Sequence, residues 1–188
     1  MANIKIELSS NEVQAALRTL PALRKLDRPQ GLYKIWATYL ERLVVRSFQA
    51  QQQPLTNKGW APLRPITRQL RNNKGKGILR NTGALYDTIS GRVLPDGASV
   101  GTNQMVGIYS LGAIHQFGAV VPITLKSRAF FRHKFRTTKN QGWDNLRRVK
   151  SEAVIIPARP FLPMDEDGSP LPQLTQELGV LTRDWLLR

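Results

Sequence analysis

The stretch GLYKIWATYLERLVVRSFQAQQ, residues 31–52, decides the fold. Its apolar side chains recur at spacings of three and four residues, which places them along one side of a helix. They are Leu32, Ile35, Trp36, Tyr39, Leu40, Leu43, Val44 and Phe48. The charged residues Lys34, Glu41 and Arg42 fall off that side. The sequence therefore predicts an amphipathic helix of about 20 residues, roughly 30 Å long, against which a small sheet can pack.

Short segments of alternating apolar and polar residues predict strands around this helix. Residues 87–94 and 98–102 flank Pro95-Asp96-Gly97, which is a turn sequence because proline fixes φ and glycine accepts a positive φ. These two segments therefore predict a hairpin. The other strand candidates are residues 4–8, 105–109 and 153–156. The predicted fold class is α+β, with a mainly antiparallel sheet of four or five strands backed by the long helix.

Two further helices are predicted near the chain ends. Ser9 and Glu12 have the spacing of a capping box, so a helix is expected to begin at about Ser10. Ser169 followed by Pro170 predicts the start of a C-terminal helix. The leucines of this helix form a narrow seam, which suits either docking on the chain's own body or pairing with another helix, and docking is preferred.

The composition indicates one folded domain over residues 1–188. The chain is 41% hydrophobic and 22% charged, as globular chains are, and it has no cysteine. The lack of cysteine excludes a disulfide scaffold, a thiol nucleophile and a Cys-bound metal. No apolar run reaches the ~18 residues of a membrane helix, and the opening MANIKIELSS lacks the apolar core of a signal peptide. We therefore expect synthesis in the cytosol, no membrane contact and no cofactor.

Basic residues dominate the charge. The formal net charge is +15, because 28 Lys and Arg outnumber 13 Asp and Glu. Eight of the basic residues lie in residues 58–92 and nine in residues 123–150, each segment with a single acid. We predict basic loops over 54–80 and 123–150, the second a long insertion. Such loops would contact something acidic, most often a nucleic acid, or would simply be solvated.

The sign of the charge inverts near the C-terminus. From Phe161 onward acids outnumber bases, and Asp165, Glu166 and Asp167 form the main acidic cluster. Opposite charges on separate segments suit a subunit that binds copies of itself front to back, because complementary patches steer and orient association. The same cluster could instead hold a divalent cation or form an ordinary charged loop.

Residues with catalytic chemistry are few. The chain has two histidines, His115 and His133, without the spacing of zinc ligands. It also lacks the GxSxG sequence of a nucleophile elbow. We therefore predict that the protein is not an enzyme and that His115 is a structural histidine bonded to nearby backbone. A hydrolase is a further hypothesis that rests on His115 alone.

A basic nucleic-acid-binding protein is the alternative function. Four aromatic residues lie among the basic residues of 123–150. They could stack on the bases of a nucleic acid, or they could pin a long loop onto the protein surface. They are Phe130, Phe131, Phe135 and Trp143. Pinning is preferred, because nothing sets the aromatic residues at regular spacing on one strand. The acidic C-terminal region and the lack of a recognised binding signature argue against nucleic-acid binding.

Several separated motifs occur in one order along residues 48–162. They are Gly59-Trp60-Ala61-Pro62-Leu63, Thr82-Gly83-Ala84-Leu85, Val100-Gly101-Thr102, Ala113-Ile114-His115-Gln116-Phe117-Gly118 and Ile156-Pro157-Ala158-Arg159-Pro160-Phe161-Leu162. In this order they resemble the phage virion morphogenesis family, the tail completion proteins of tailed phages and prophages. Two positions depart from the family pattern. A Tyr commonly directly precedes Ala113, whereas here Tyr109 lies four residues before it, and Pro163 stands where Gly is usual.

The resemblance implies a non-enzymatic structural protein of the virion. Such proteins act late in assembly, at the tail end or at the neck where head and tail join, and related proteins form rings, often hexamers. The implied partners are other copies of the chain and tail-tube or head-connector proteins, with genomic DNA passing close by. The implied location is the virion, after assembly in the host cytoplasm. The candidate assembly residues are Trp60, Arg71, Lys74, Lys76, His115, Gln116, Phe117, Arg132, Arg136, Arg159, Asp165, Glu166 and Asp167.

The sequence also predicts the local geometry of three residues within these motifs. Gly83 is expected to end a short turn before a strand at Leu85, and Gly101 to allow another backbone to approach closely. Arg159 lies in a stiff extended segment between Ala158 and Pro160. Its guanidinium could bond a carboxylate across an interface or a group within its own subunit, and both alternatives are open.

Overall fold

The computed structural model describes residues 25–71 and 77–188. The predicted strand at residues 4–8 and the predicted helix from Ser10 lie outside the described residues. A 3₁₀ turn, Lys25–Asp27, comes before the helices. These are α1 (Gln30–Ala50), α2 (Pro65–Leu70), α3 (Ala84–Asp87), α4 (Leu111–Phe117), α5 (Leu125–Thr138), α6 (Gln141–Arg148) and α7 (Pro172–Leu187). The strands are β1 (Ser90–Leu94), β2 (Gly97–Gly101), β3 (Met105–Val106), β4 (Tyr109–Ser110), β5 (Ala119–Pro122) and β6 (Ala153–Ile156).

Helix α1 is the long amphipathic helix that the sequence predicts. Leu32, Leu40, Val44 and Phe48 are buried along one side, as their spacing requires. The helix ends at Gln51, which adopts a left-handed conformation and donates its N–H to the carbonyl of Ser47. The α+β class is also confirmed.

The single sheet of four or five strands is not what the described residues show. Three separate antiparallel pairs are present instead, β1–β2, β3–β4 and β5–β6. The β1–β2 hairpin places Leu94 opposite Gly97 across Pro95-Asp96, as the turn sequence predicts. The β5–β6 pair places Ala119 opposite Ile156, which is distant in sequence. Alternation identifies strands but not their partners, because pairing depends on contacts between distant segments.

Two local predictions in this region were wrong. Leu85 lies in the single helical turn α3 rather than in a strand, and Gly83 precedes that turn with φ 96°. The turn is closed by the N–H of Asp87, which donates to the Gly83 carbonyl at 2.8 Å. Residues 105–109 do not form one strand, because Gly107, with φ 61°, reverses the chain between β3 and β4.

The predicted insertion loop over residues 123–150 is a helical hairpin, α5–α6. Thr124 and Ser127 form a capping box at the start of α5, and Asn140 caps α6. Trp143 packs against Phe130 and Phe131, with ring centroids 5.6 Å and 6.0 Å apart. The Lys and Arg residues between the aromatic side chains hid the helical spacing, which a search for alternating apolar and polar residues does not detect. The predicted loop over 54–80 likewise contains α2, which starts with Pro65, the residue favoured at a first helical position.

The C-terminal helix α7 docks on the chain's own body. This is the alternative that the sequence analysis preferred for its line of leucines. The hydroxyl of Tyr39 on α1 donates a hydrogen bond to the carboxylate of Glu177. Burial and this bond raise the pKa of Tyr39 well above its usual value. The Nζ of Lys25 also donates to the Trp185 carbonyl at 3.3 Å. The helix begins at Pro172, two residues later than the predicted start at Pro170.

The core lies beside the C-terminal half of α1. Its buried residues are Val44, Phe48, Trp60, Leu79, Leu85 and Phe161. Phe48 makes edge-on contacts with Trp60 and Phe161, at centroid distances of 5.3 Å and 5.4 Å. The core therefore joins α1 to three of the motifs that carry the family resemblance, through Trp60, Leu85 and Phe161.

The close backbone approach expected at Gly101 occurs at Gly91 instead. A Cβ at Gly91 would lie 2.4 Å from the carbonyl oxygen of Ala37 on α1, whereas a Cβ at Gly101 would meet nothing within 4 Å. We expect Gly91→Ala to lower the free energy of unfolding by about 1–3 kcal/mol, because α1 and β1 must separate. Gly101→Ala is the matched control and should have little effect in urea unfolding. Equal losses for the two variants would contradict this packing.

Candidate assembly surfaces

Three of the family motifs meet beside the core and bind one another. The Nε1 of Trp60 donates to the Pro160 carbonyl at 2.6 Å. The backbone N–H of Arg159 donates to the His115 carbonyl at 2.7 Å. The Oε1 of Gln116 accepts two bonds of 3.0 Å, from the N–H groups of Phe161 and Leu162. We call this network of side-chain and backbone bonds the motif junction.

Arg159 bonds within its own chain, which answers the question left open by the sequence. Its Nε donates to the Ala61 carbonyl at 2.8 Å and its Nη2 to the Pro62 carbonyl at 3.1 Å. The acceptors are backbone carbonyls rather than a carboxylate. Arg159, Trp60 and Gln116 are only 5%, 6% and 3% exposed. These three candidate residues therefore lie beneath the surface of the single chain.

A cavity of about 290 Å³ lies between α2, α4, α6 and β6. Its polar lining includes Arg64, Arg71, Arg159 and His115, and no acidic residue of the described chain lines it. We call it the cationic cavity. The Nη1 of Arg71 donates to the Gly77 carbonyl at 2.9 Å. Burial lowers the pKa of Arg71 and Arg159, and neighbouring arginines lower that of Arg159 further. Both guanidiniums nonetheless stay charged at neutral pH.

His115 lies in this cavity as a neutral imidazole. Burial, and then the charges of Arg159 and Arg71, lower its pKa to about 4. Its Nδ1 is buried, and no hydrogen-bond partner for it lies in the described part of the chain. The ring bond to backbone that the sequence analysis expected is therefore not seen at Nδ1. The arginines, with no acid among the described lining residues, make the cavity suited to an anion.

Acid should destabilise the fold through His115. The folded-state pKa of about 4 lies below the ordinary value of 6.5, so the unfolded chain binds the proton more readily. The contribution of His115 to stability is therefore complete above pH 6.5 and is lost as the pH falls from 6.5 to about 4. We expect His115→Gln to flatten this part of the pH profile of unfolding, measured in urea. His133→Gln, at an exposed position, is the control, and a profile unchanged by His115→Gln would refute the assignment.

The acidic cluster forms a compact exposed turn, which we call the acidic tip, residues 165–169. Met164 and Pro170 pair across its base. The Oδ1 of Asp165 accepts the N–H groups of Asp167 and Ser169 at 3.0 Å and 2.8 Å. These bonds fix the turn, and Glu166 and Asp167 are exposed. In the described residues, no three His, Asp or Glu side chains converge as a metal site would need.

The acidic tip and the cationic cavity lie on opposite sides of one extended segment, residues 157–160. Ala158 and Pro160 face a groove of about 760 Å³ that the acidic tip borders. Pro157 and Arg159 face the cationic cavity. Successive side chains of an extended segment point to opposite sides, which explains the division. The chain thus presents opposite charges on two different surfaces.

Several large apolar side chains are exposed, and one of them, Phe117, lines the groove. Ile108 and Tyr109, in the β3–β4 hairpin, are 84% and 64% exposed, and the candidate residue Phe117 at the end of α4 is 50% exposed. Val120 on β5 is 68% exposed. Clustered exposed apolar residues of this size commonly mark contacts with other proteins.

Arg132 and Arg136 line neither the groove nor the cationic cavity. Arg132 and Arg136 are exposed on α5, in the helical hairpin. Lys74 and Lys76 lie outside the described residues. The hairpin is anchored to α2 through Gln69, whose carbonyl and Oε1 accept bonds from Asn140 and Asn145 at 2.9 Å and 2.7 Å. The structure thus places this basic surface apart from the motif junction.

Asp144 anchors the base of the helical hairpin. It is 5% exposed, and Arg147 and Arg148 both form ion pairs with its carboxylate. Burial opposes ionisation of Asp144, but the bonds from the two arginines outweigh it and keep the pKa below its usual value. The single acid of the basic insertion is thus fully engaged inside the hairpin.

Arg64 is the cavity residue that the sequence analysis did not single out. It lies at the start of α2, and Arg71 follows the last residue of that helix. Seven residues make about two helical turns, so the two positions share one side of the helix. This spacing was the available signal, and it was hidden because residues 54–80 were interpreted as a loop.

The model of the phage virion morphogenesis family matches residues 8–172, and the chain belongs to this family. The resemblance stated from the motifs is confirmed, and the protein has a structural role in phage virion morphogenesis. Comparison with curated proteins and with solved structures gave no match. No helix in the described part of the chain is long and apolar enough to cross a bilayer.

Proposed function

We propose that this chain is a non-enzymatic subunit that completes the phage tail and joins it to the head, as a closed ring of identical copies. The observation that carries the proposal is the division of charge. The acidic tip and the cationic cavity lie on opposite sides of residues 157–160. A subunit with unlike, complementary surfaces associates head to tail, and such contacts form a ring when the rotation closes.

The motif junction supports a role in shape rather than in chemistry. The polar side chains of Trp60, Gln116 and Arg159 all bond backbone groups of the same chain. These bonds hold residues 157–162 in position, and that segment separates the two charged surfaces. The residues that carry the family resemblance thus fix the relative placement of the surfaces that meet neighbours.

Electron microscopy of particles made without this chain tests the proposed role. We expect full heads beside separate tails, because the joint between them would be missing. Tails of abnormal length would indicate that the chain ends tail growth instead, which would correct the position of action. Normal infectious particles would overturn the proposal. Restoring the intact chain from a plasmid is the control for indirect effects of the deletion.

Nucleic-acid binding is a second candidate function, favoured by the basic surface of α5. Arg132 and Arg136 are exposed there, and helix α5 contains no acid. Binding by such a surface should weaken steeply with salt, since counterions are released from phosphates. Replacing both arginines with glutamine should then lower DNA affinity at low salt. No measurable affinity of the intact chain for single or double strands would exclude this candidate.

A further inference from the structure

We propose that the acidic tip of one copy inserts into the cationic cavity of the next copy, and that this contact builds the ring. The inference rests on the proposed self-assembly and names the surfaces that carry it. It commits to a second copy of this chain as the occupant of the cavity. A carboxylate is the group that the cavity would bind.

The cavity is suited to a carboxylate because its cationic lining has no anionic partner in the described chain. Arg64, Arg71 and Arg159 line it together with His115. Arg159 is 5% exposed, so its charge is held away from water and is stabilised mainly by the Ala61 and Pro62 carbonyls. Buried charges are costly without a counter-ion, and guanidiniums bind carboxylates with paired hydrogen bonds.

His115 lines the cavity beside the three arginines and carries no negative charge that would oppose a carboxylate. Its Nδ1 is buried without a partner among the described residues. Because this nitrogen is closed to solvent in the single chain, an incoming carboxylate would be held by the guanidiniums rather than by the ring. Apolar residues, among them Leu146 and Ile156, form the rest of the lining and would exclude water from the contact.

The acidic tip is exposed and well ordered, as a group that inserts into a neighbour should be. Glu166 and Asp167 are exposed at the apex of a turn whose base is closed by the Met164–Pro170 pair. The Asp165 carboxylate fixes the turn from inside through the N–H groups of Asp167 and Ser169. A pre-organised tip loses little conformational entropy on binding, which favours insertion over a loose electrostatic contact.

The placement of the two features on different surfaces favours a chain of contacts over a closed pair. Residues 165–169 border the groove and do not line the cavity, so a copy's tip does not occupy its own cavity. Each copy can therefore give its tip to one neighbour and receive the tip of another. This is the heterologous contact that a ring of identical subunits needs.

Cross-linking between engineered cysteines tests the contact, and the chain has no natural cysteine to interfere. Ser151 lies in the lining of the cavity and Ser169 in the acidic tip, and both are exposed. We expect an equimolar mixture of the Ser151→Cys and Ser169→Cys chains to form a dimer of unlike chains with a short bismaleimide. A chain that carries both cysteines should give a ladder that ends at the ring. Ser90→Cys in place of Ser151→Cys is the matched control and should not cross-link.

Neutralising variants test the charges themselves. We expect Glu166→Gln/Asp167→Asn and Arg64→Gln/Arg71→Gln each to weaken self-association about tenfold or more. An equimolar mixture of the two variants should form heterodimers only, because one intact tip meets one intact cavity and the other contact is missing. Arg64→Gln alone, at an exposed position, should weaken association in part and guards against a folding defect at Arg71.

The outcomes separate this inference from the proposed function. Wild-type oligomers that persist in both neutralising variants, without the Ser151–Ser169 cross-link, would overturn the inference and leave the ring intact. A wild-type chain that stays monomeric would overturn both. Oligomers that persist while Arg64→Gln/Arg71→Gln loses salt-sensitive DNA binding would show that the cavity takes a phosphate, which also overturns the inference.

Discussion

Replacing Phe161 with alanine should lower the free energy of unfolding by about 3–5 kcal/mol. Phe161 is fully buried and its ring lies 5.4 Å from that of Phe48, centroid to centroid. Alanine would leave a cavity between α1 and the segment that follows β6, and the aromatic cluster cannot collapse into it without moving both. Chemical denaturation followed by tryptophan fluorescence measures the loss.

Phe117→Ala is the matched control for Phe161. The same atoms are removed, but Phe117 is 50% exposed, so less apolar surface is returned to water. We expect a loss well below that of Phe161→Ala. Comparable losses at the two positions would mean that Phe161 is not at the centre of the core. Phe117→Ala should act on assembly instead, because its ring lies beside the groove that borders the acidic tip.

Gln116→Leu should be the second most damaging substitution, with a loss of about 2–4 kcal/mol. The Oε1 of Gln116 accepts bonds from the N–H groups of Phe161 and Leu162, each at 3.0 Å. Leucine has a similar size but accepts no bond, so two N–H groups at the motif junction would lose their acceptor. Each unsatisfied buried donor costs about 1–3 kcal/mol.

Two variants isolate the role of the Gln116 acceptor. Gln49→Leu makes the same chemical change on the exposed side of α1 and should alter stability by less than about 0.5 kcal/mol. Gln116→Glu keeps an acceptor oxygen for the two N–H groups and should recover a large part of the loss. If Gln116→Leu were as mild as Gln49→Leu, the motif junction would not hold residues 157–162 in place.

The elements that a single segment determines could be predicted from the sequence. The apolar stripe of α1, the Pro95-Asp96-Gly97 turn and the strand at residues 153–156 all carry their signal within a few residues. The partner of β6 could not be predicted, because β5 lies more than thirty residues earlier in the chain. The α5–α6 hairpin was missed for another reason. Its aromatic residues are spaced for a helix, but the Lys and Arg residues between them obscure the apolar side of that helix.

The candidate site was predictable only in part, because the sequence does not show which distant residues come together in space. The motifs containing Gln116 and Arg159 pointed to the right region, but not to their bonds with backbone groups of the same chain. The cationic cavity depends on α2 being helical, which brings Arg64 and Arg71 to one side. The acidic tip was recognised from its composition, whereas its place opposite the cavity follows only from the alternation of residues 157–160.

The oligomeric state of the purified chain tests the central claim most directly. Native mass spectrometry combined with light scattering, over a range of protein concentration and salt, should find one closed oligomer of fixed stoichiometry. The oligomer should dissociate as salt rises, because the unlike charged surfaces are then screened. A monomer at every concentration and at low salt, or a symmetric dimer that goes no further, would contradict a ring built from head-to-tail contacts.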